Sequence, residues 1–232
     1  MSARLLVVSG TGTGIGKTHA TAALLRAWSA ELSARGDGDP RVAGLKPVES
    51  GAGGPGDASD GLTLEQASTF HVKRFPPPYL LARPVSPHLA AALEGRTIEL
   101  RTITTYVETV RALANGVAVE LAGGLFSPLA PELCNADVAL ALRGDALLLV
   151  APDRLGVLHD VAASTRAARA LGLAISGIIL VAPEAADAST GTNAAELGKV
   201  TDVPVVIALP RADAATLATR DDVTSWVRAF VA

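Results

Sequence analysis

The sequence predicts an α/β fold built on a doubly wound, mainly parallel sheet with helices on both faces. Three observations lead to this class. The chain has 232 residues, 49% hydrophobic and 19% charged, so it can bury a large core. Short apolar runs alternate with longer amphipathic stretches, which is the pattern of β-α units. No linker or internal repeat divides the chain, and we therefore predict one domain over residues 1–232.

Six apolar runs, several of them rich in β-branched residues, are typical of buried strands. They are RLLVVS from Arg4, RVAGL from Arg41, VAVEL from Val117, ALLLVA from Ala146, ISGIILVA from Ile175 and PVVIAL from Pro204. Because parallel strands end at one edge of the sheet, the loops after them should converge on a single site. The loops concerned follow Val8, Leu45, Glu120, Ala151 and Ala182.

Helical patterns fill the stretches between these runs. The longer patterns cover 16–35, 101–115, 155–171, 193–200 and 221–231, and shorter ones lie near 62–69, 88–94 and 132–142. Residues 51–61 and 75–87 are rich in glycine and proline, which suppress regular structure. We interpret these two segments as loops inserted over the site.

Composition limits the partners and the compartment. The net charge is -3 and the arginines are scattered, so no basic field is available for nucleic acid. Cys134 is the only cysteine, which excludes an internal disulfide and fits a reducing compartment. The first apolar run is shorter than a signal sequence, and no window approaches the roughly 20 apolar residues of a membrane span. We expect a cytoplasmic protein with neither a nucleic-acid nor a membrane partner.

A glycine-rich turn, SGTGTGIGKT from Ser9, follows the first predicted strand. A dinucleotide fingerprint fails here because its third glycine would fall on Ile15 or Lys17. A P-loop ends in G-K-[ST], and residues 16–18 supply this triplet between a strand and a helix. Backbone N–H groups would then bind phosphate, with the lysine at the β/γ-phosphates and the threonine on Mg²⁺. The predicted nucleotide-binding residues are Gly12, Thr13, Gly14, Ile15, Gly16, Lys17 and Thr18.

This loop is one residue longer than the common P-loop. Five residues separate Gly10 from Gly16, where the usual form has four. We expect the additional residue to enlarge the loop on the side that faces a second substrate.

Polar residues also follow two other predicted strands. In LKPVESG, Pro47 stops the strand and presents Lys46, which with the hydroxyl of Ser50 would hold a negatively charged intermediate beside the γ-phosphate. The alternative for this lysine is an ordinary surface position. Glu120 ends a buried run, which is costly unless the carboxylate meets Mg²⁺ or forms a structural ion pair. Asp57 and Asp60 are candidates for a further metal ligand.

With these residues placed, the chain resembles the dethiobiotin synthetase family, ATP-dependent enzymes that close the ureido ring in biotin biosynthesis. The extra P-loop residue, the K-P-V-x-S-G motif and an S-P-H segment are together quite specific, and the likeness runs from about residue 4 to 181. The matching stretches are VVSGTGTGIGKTHATAALL, LKPVESG, ASDGLTLEQAS, RPVSPHLAAALEGRTIE, VELAGGLFSPL and DRLGVLHDVAASTRAARALGLAISGIIL.

The resemblance implies a reaction and a set of roles. In the family, 7,8-diaminononanoate takes up CO₂ as a carbamate, the carbamate attacks the ATP γ-phosphate, and the second amine closes the mixed anhydride. The spacing of ASDG favours Asp60 over Asp57 as the metal ligand. A homodimer is also implied, because the start of one helix receives the substrate carboxylate across the interface. The implied residues are Lys46, Lys17 and Thr13 for catalysis, Ser50, Leu155, Gly156 and His159 for the substrate, and Thr18, Asp60 and Glu120 for Mg²⁺.

Three positions depart from the family pattern. Leu121 replaces a glycine, so its side chain is expected to narrow the pocket or to push Glu120 away. Pro183 replaces the asparagine that recognises adenine, and we therefore predict weak discrimination among nucleoside triphosphates. His159 replaces a substrate-side asparagine, which keeps hydrogen bonding, changes the shape of the side chain and adds the capacity to carry a charge.

Two other functions remain as alternatives. Switch ATPases that position plasmids or division sites share this fold, but their signature lysine would stand at Gly12, and the C-terminal segment here has Arg228 as its single basic residue. A related ATP-dependent ligase that acts on another amine or carboxylate is the second alternative.

Overall fold

The central sheet matches the predicted class. The computed structural model describes residues 3–36, 38–52, 59–71 and 75–232. All strands of this sheet are parallel, in the order β10-β9-β8-β1-β5-β2. Their bounds are β1 (Arg4–Gly10), β2 (Val42–Leu45), β5 (Gly116–Glu120), β8 (Ala146–Pro152), β9 (Gly177–Val181) and β10 (Val205–Leu209). Each of the six apolar runs therefore forms a strand.

Two small sheets were not predicted. β3 (Val48–Ser50) pairs in parallel with β4 (Tyr79–Leu81), and β6 (Pro128–Ala130) pairs antiparallel with β7 (Leu133–Cys134). The interpretation of 75–87 as loop is thus wrong at β4. Strands of two or three residues are too short to show a period of two, so the pairing with another segment decides them and not their own pattern.

Helices lie near every predicted position, with shifted ends. α5 begins at Asn135 because the two residues before it pair as β7, and α6 begins at Val157 because Gly156 has a left-handed backbone. The short helix α8 was not predicted. The helices are α1 (Lys17–Ala34), α2 (Asp60–Ala67), α3 (Pro87–Leu93), α4 (Leu100–Arg111), α5 (Asn135–Leu142), α6 (Val157–Ala170), α7 (Asn193–Leu197), α8 (Ala214–Ala218) and α9 (Asp221–Val231).

Both faces of the sheet are covered, which makes the fold doubly wound. In β1, Leu5 and Val7 join a core with α3, α4 and α5, whereas Leu6 and Val8 join a core with α1, α2, α8 and α9. This alternation is the period of two of a strand buried on both sides. The helices leave the carboxyl ends of the strands to the loops.

The C-terminal helix α9 belongs to the core. The ring of Phe230 meets Trp28 of α1 edge-on at a centroid distance of 5.1 Å and stacks on Trp226. This packing uses the apolar side of α9 within the chain. None of the helices in the described parts of the chain is long and apolar enough to cross a membrane.

Candidate active site

The glycine-rich turn joins β1 directly to α1. Gly14 and Gly16 have φ of +70° and +88°, a left-handed backbone that side chains other than glycine rarely adopt. Gly16 immediately precedes α1, and no side-chain hydrogen bond caps this helix start in the structure as described. The first N–H groups of α1 therefore remain available to an anion in the turn.

Lys17 lies over its own loop. Its side chain is buried, and Nζ donates a hydrogen bond to the carbonyl of Gly12 at 2.6 Å. Burial, together with the nearby ammonium of Lys46, lowers the pKa of Lys17 to about 8, although the carboxylates of Glu120 and Asp60 act in the opposite direction. Lys17 thus loses its proton at a lower pH than an ordinary lysine, and it lies beside the glycine-rich turn.

Four side chains meet beside Lys17. Lys46 and Glu120 lie at the ends of β2 and β5, whereas Thr18, after β1, and Asp60 lie in the first turns of α1 and α2. We call them the strand-end cluster: Thr18, Lys46, Glu120 and Asp60. Lys46 Nζ donates to Asp60 Oδ2 at 2.8 Å and to Glu120 Oε1 at 2.5 Å. Thr18 Oγ1 also donates to Glu120 Oε1, at 2.8 Å. The convergence predicted for the loops after β1, β2 and β5 is therefore observed.

Charges in the cluster support one another. Burial alone would lower the pKa of Lys46, but the carboxylates of Glu120 and Asp60 outweigh it and raise that pKa. Burial would likewise raise the pKa of Asp60, and the Lys46 ammonium reverses this effect and lowers it. Lys46 is therefore charged and buried, so the reading of it as an ordinary surface lysine is wrong.

Oxygen atoms of the cluster fit Mg²⁺. Glu120 is fully buried, yet its Oε2 has no hydrogen-bond partner among the described residues, which leaves a buried acceptor for a cation. The Thr18 hydroxyl and the half-exposed Asp60 add two oxygen donors. The described residues contain no group of three His, Cys, Asp or Glu side chains suited to a metal. The two carboxylates and the hydroxyl of the cluster suit Mg²⁺, which uses one or two carboxylates together with substrate phosphates and water.

The turn after β5 corrects the expectation for Leu121. Its side chain lies in the apolar core, its N–H donates to the carbonyl of Val8 at 2.9 Å, and it lines neither of the cavities next to the loops. Glu120 keeps its bonds to the cluster, so Leu121 has neither narrowed a pocket nor displaced the carboxylate. Buried Asn135, which the sequence reading missed, pins this turn by donating to the carbonyls of Ala122 and Gly124.

A cavity of about 630 Å³ lies on the other side of the glycine-rich turn. We call it the loop cavity, because the turn and the loops after β8, β9 and β10 form its wall. Five of the residues predicted to bind the nucleotide line it, namely Thr13, Gly14, Ile15, Gly16 and Pro183. The sequence reading missed its polar groups, since helix and loop residues of ordinary type carry no motif. These groups belong to His19, Arg154, Glu184 and Arg211.

Other predicted residues lie apart from the cluster within one chain. Ser50 ends β3 and is half-buried. Leu155, Gly156 and His159 are exposed around the start of α6, and Leu155 is 77% exposed. Asp57 lies outside the described residues.

The turn before α6 is tied to the loop after β9. Asp187 accepts a hydrogen bond from the Leu155 N–H at 2.8 Å, and the Ser189 hydroxyl, with backbone N–H groups, holds the pKa of Asp187 down to about 2. Asp153 accepts from the Gly191 N–H and from Asn193 Nδ2 at 2.9 and 2.7 Å. These bonds connect the loops after β8 and β9, which are two of the loops that border the loop cavity.

Comparison with known structures shows the fold. A ParA family ATPase from Chlorobium tepidum TLS superposes with a TM-score of 0.60 at 14% identity, covering 99% of each chain. The septum site-determining protein MinD from Pyrococcus horikoshii OT3 gives 0.56 at 17% identity, over 100% of this chain and 95% of that one. These likenesses confirm the P-loop NTPase-like class and carry no function.

Sequence comparison shows the family. A family profile described as an AAA domain matches residues 4–219. The ATP-dependent dethiobiotin synthetase BioD of Anaeromyxobacter sp. (strain K) is 41% identical over 213 residues, which are 89% of this chain and 90% of that protein. Its counterpart from Ralstonia nicotianae is 39% identical over 93% and 94% of the two chains. The chain therefore belongs to the ATP-dependent dethiobiotin synthetase family.

Proposed function

We propose that this protein is an ATP-dependent dethiobiotin synthetase, a carbon–nitrogen ligase that forms the ureido ring of dethiobiotin from 7,8-diaminononanoate and CO₂. One observation carries the proposal: a P-loop lysine, a second buried lysine and two carboxylates meet beyond the ends of adjacent parallel strands. Such a site suits a reaction that gathers several negative charges at one point.

The reaction proceeds in three balanced steps. An amine of the substrate adds to CO₂ and loses a proton, which gives a carbamate. A carbamate oxygen attacks the γ-phosphorus of ATP, ADP leaves, and a carbamic-phosphoric mixed anhydride forms. The second amine then attacks the carbonyl carbon, and phosphate leaves as the ring closes.

Lysines of the site would stabilise the charge that these steps concentrate. Lys17 would move from the Gly12 carbonyl to the β/γ-phosphates, and its ammonium is the nearer of the two to the glycine-rich turn. Lys46 is already held as a cation by two carboxylates and would face the carbamate and the transferred phosphoryl group. Thr13, on the exposed side of the turn, and Ser50 would contact the reacting groups.

Thr18, Asp60 and Glu120 would hold Mg²⁺. Mg²⁺, when bound, would neutralise the negative charge of the phosphates during transfer. The partnerless Oε2 of Glu120 supports this assignment. Lys46 and the metal would then share the two carboxylates.

ATP would occupy the loop cavity, with its phosphates in the turn formed by residues 12–18 and its base beside Pro183. Proline has neither a side-chain donor nor an acceptor, so the base contact would be largely apolar on this side. Weak discrimination among nucleoside triphosphates stays a prediction.

A homodimer would complete the substrate site. Leu155 and Gly156 would bind the substrate carboxylate at the start of α6, a helix of 14 residues, with His159 one turn further on. Leu155 is the most exposed of the large apolar side chains described, so it is accessible to a second copy. The single-domain extent 1–232 and a cytoplasmic location, the latter from the lone Cys134, also stay predictions.

A direct assay tests the activity. Phosphate release is measured with ATP, Mg²⁺ and bicarbonate, with and without 7,8-diaminononanoate, and dethiobiotin is identified by mass spectrometry. We expect phosphate release to require the diamine and to equal the dethiobiotin formed. Release that ignores the diamine would favour a switch ATPase, and release that requires a different amine or carboxylate would favour a related ligase.

Solution mass tests the dimer. Leu155→Glu places a charge on the proposed interface and is expected to shift the protein from dimer to monomer in light scattering. Leu171→Glu is the matched control, because Leu171 is also exposed but lies at the other end of α6. A monomeric unsubstituted protein at micromolar concentration would contradict the dimer.

A further inference from the structure

Glu49 is a buried carboxylate that none of the roles above uses. It lies in the middle of β3 and is 6% exposed. Its carboxylate accepts three hydrogen bonds, from Ser59 Oγ at 2.8 Å, from the Asp60 N–H at 2.5 Å and from the Gly61 N–H at 3.1 Å. All three donors belong to the start of α2.

These bonds hold the first turn of α2 from outside the helix. The first N–H groups of a helix have no partner within it, and here Glu49 takes those of Asp60 and Gly61 while Ser59 Oγ takes that of Leu62. A negative charge at this end also suits the helix dipole. Gly61 permits the close approach, because a Cβ there would lie 3.0 Å from Glu49 Oε2.

The position of this turn determines where the Asp60 carboxylate lies. Asp60 is the first residue of α2, and its side chain is 46% exposed, so packing contributes little to its placement. Glu49 binds the backbone of Asp60, and Lys46 binds its carboxylate. Successive residues of a strand face opposite sides, so β3 directs Glu49 toward α2 and Ser50 away from it.

We propose that Glu49 is a positioning residue, which holds the start of α2 so that the Asp60 carboxylate is in place for Mg²⁺. The inference rests on the proposed assignment of Asp60 as a metal ligand. Outer partners of metal ligands typically change metal affinity by about 10- to 100-fold when they are replaced. Glu49 acts one bond further away, through the backbone, so we expect an effect near the lower end of this range.

The test uses Glu49→Gln in the full-length protein. The amide keeps the size but removes the charge and places N–H groups toward the donors of the α2 turn. Hydrogen exchange of the ligand-free protein should show faster exchange at residues 60 and 61. Calorimetry of ATP binding should show that the Mg²⁺ concentration needed for half-maximal binding rises about tenfold, with ATP binding without Mg²⁺ unchanged. Unchanged exchange, or an unchanged Mg²⁺ requirement, would overturn the proposal.

Two further variants separate positioning from a merely structural role. Glu65→Gln is the control, because Glu65 lies on the same helix and its side chain is 52% exposed; neither readout should move. In an Asp60→Asn background, Glu49→Gln should leave the Mg²⁺ requirement unchanged, since it acts through Asp60. A tenfold rise that persists in this background would show that Glu49 does not act through Asp60.

A milder substitution keeps the proposal testable if the Glu49→Gln variant fails to fold. Gly61→Ala pushes a methyl group against the Glu49 carboxylate and should raise the Mg²⁺ requirement in the same direction, whereas no change would contradict the inference. None of these readouts needs the diamine. A chain that fails to make dethiobiotin but shows the Mg²⁺ shift would refute the proposed function and leave the role of Glu49 intact.

Discussion

The strand-end cluster and the loop cavity lie on opposite sides of one glycine-rich turn and are built differently. In the cluster, Lys46 and Glu120 are buried and bonded to each other and to Thr18 and Asp60. The loop cavity is lined by glycines, prolines and polar side chains from four loops. Among its polar side chains, His19 contacts the backbone carbonyl of Ala212 through Nε2.

The two sites therefore differ in how far their side chains are already oriented before a ligand binds. A cluster whose charges are already paired and oriented needs little rearrangement when phosphate charge develops, and that is where electrostatic catalysis is strongest. A cavity formed by loops adapts to its occupant and discriminates less. We therefore expect substitutions in the cluster to affect turnover strongly and substitutions in the loop cavity to affect nucleotide preference mildly.

The largest effect is expected for Lys46→Ala. It removes the cation between the two carboxylates, and dethiobiotin formation should fall by about 1,000-fold or more, measured as kcat by mass spectrometry. The variant leaves the buried carboxylate of Glu120 without its ion-pair partner, so the free energy of unfolding should also fall by about 3 kcal/mol. Activity should therefore be measured at a temperature well below the midpoint of thermal unfolding of the variant, so that the protein is folded during the assay. Lys199→Ala is the control, since this exposed lysine pairs with Glu196 far from the site, and equal losses in both variants would refute the role of Lys46.

Glu120→Gln should act next most strongly, through Mg²⁺. The amide keeps the shape of the buried side chain and removes the charge that the partnerless Oε2 offers a cation. The Mg²⁺ concentration for half-maximal turnover should rise on the order of 100-fold, checked by Mg²⁺ titration. An unchanged Mg²⁺ dependence would mean that Glu120 is only a structural partner of Lys46.

The pKa of Lys17 predicts opposite pH trends for binding and stability. ATP binding requires the ammonium, so affinity should fall up to about tenfold per pH unit above about pH 8, measured by calorimetry. The folded pKa of Lys17 lies below the ordinary value of 10.5, so between about 8 and 10.5 the unfolded chain binds more protons. This group therefore adds stability as the pH rises through that window.

Affinity that stays constant up to pH 10 would show that Lys17 remains protonated or does not bind phosphate. Thermal unfolding over the same pH range separates the two effects, because loss of binding through unfolding would require stability to fall.

The smallest effect is expected for Pro183→Asn in the loop cavity. The unsubstituted protein should use ATP, GTP and CTP with kcat/KM values within about tenfold of one another. An asparagine offers a donor and an acceptor to the base, and the preference for ATP should rise by about three- to tenfold. A strong ATP preference in the unsubstituted protein would show that other residues, such as His19 or Arg211, recognise the base.

Sequence motifs predicted the residues of the strand-end cluster, but not the residues that hold the neighbouring turns in place. Lys46 and Glu120 each follow an apolar run, and the rule that parallel strands end at one edge was enough to bring them together. Glu49 and Asn135 were not predicted, because their partners are mostly backbone groups 10 to 13 residues away and such bonds leave no motif in the sequence. The size of Leu121 predicted a narrowed pocket, but the side chain points into the core, and this direction depends on the backbone that leaves β5.

By itself, the sequence determined the doubly wound sheet, the glycine-rich turn and the identity of the chemically active side chains. These features depend on local periodicity and on backbone conformations that only glycine adopts readily. The tertiary structure decided which carboxylate Lys46 meets, where Leu121 points and how Glu49 holds α2. Those outcomes depend on contacts between residues far apart in the chain, such as Lys46 and Glu120, which are 74 positions apart, and no local pattern encodes such distances.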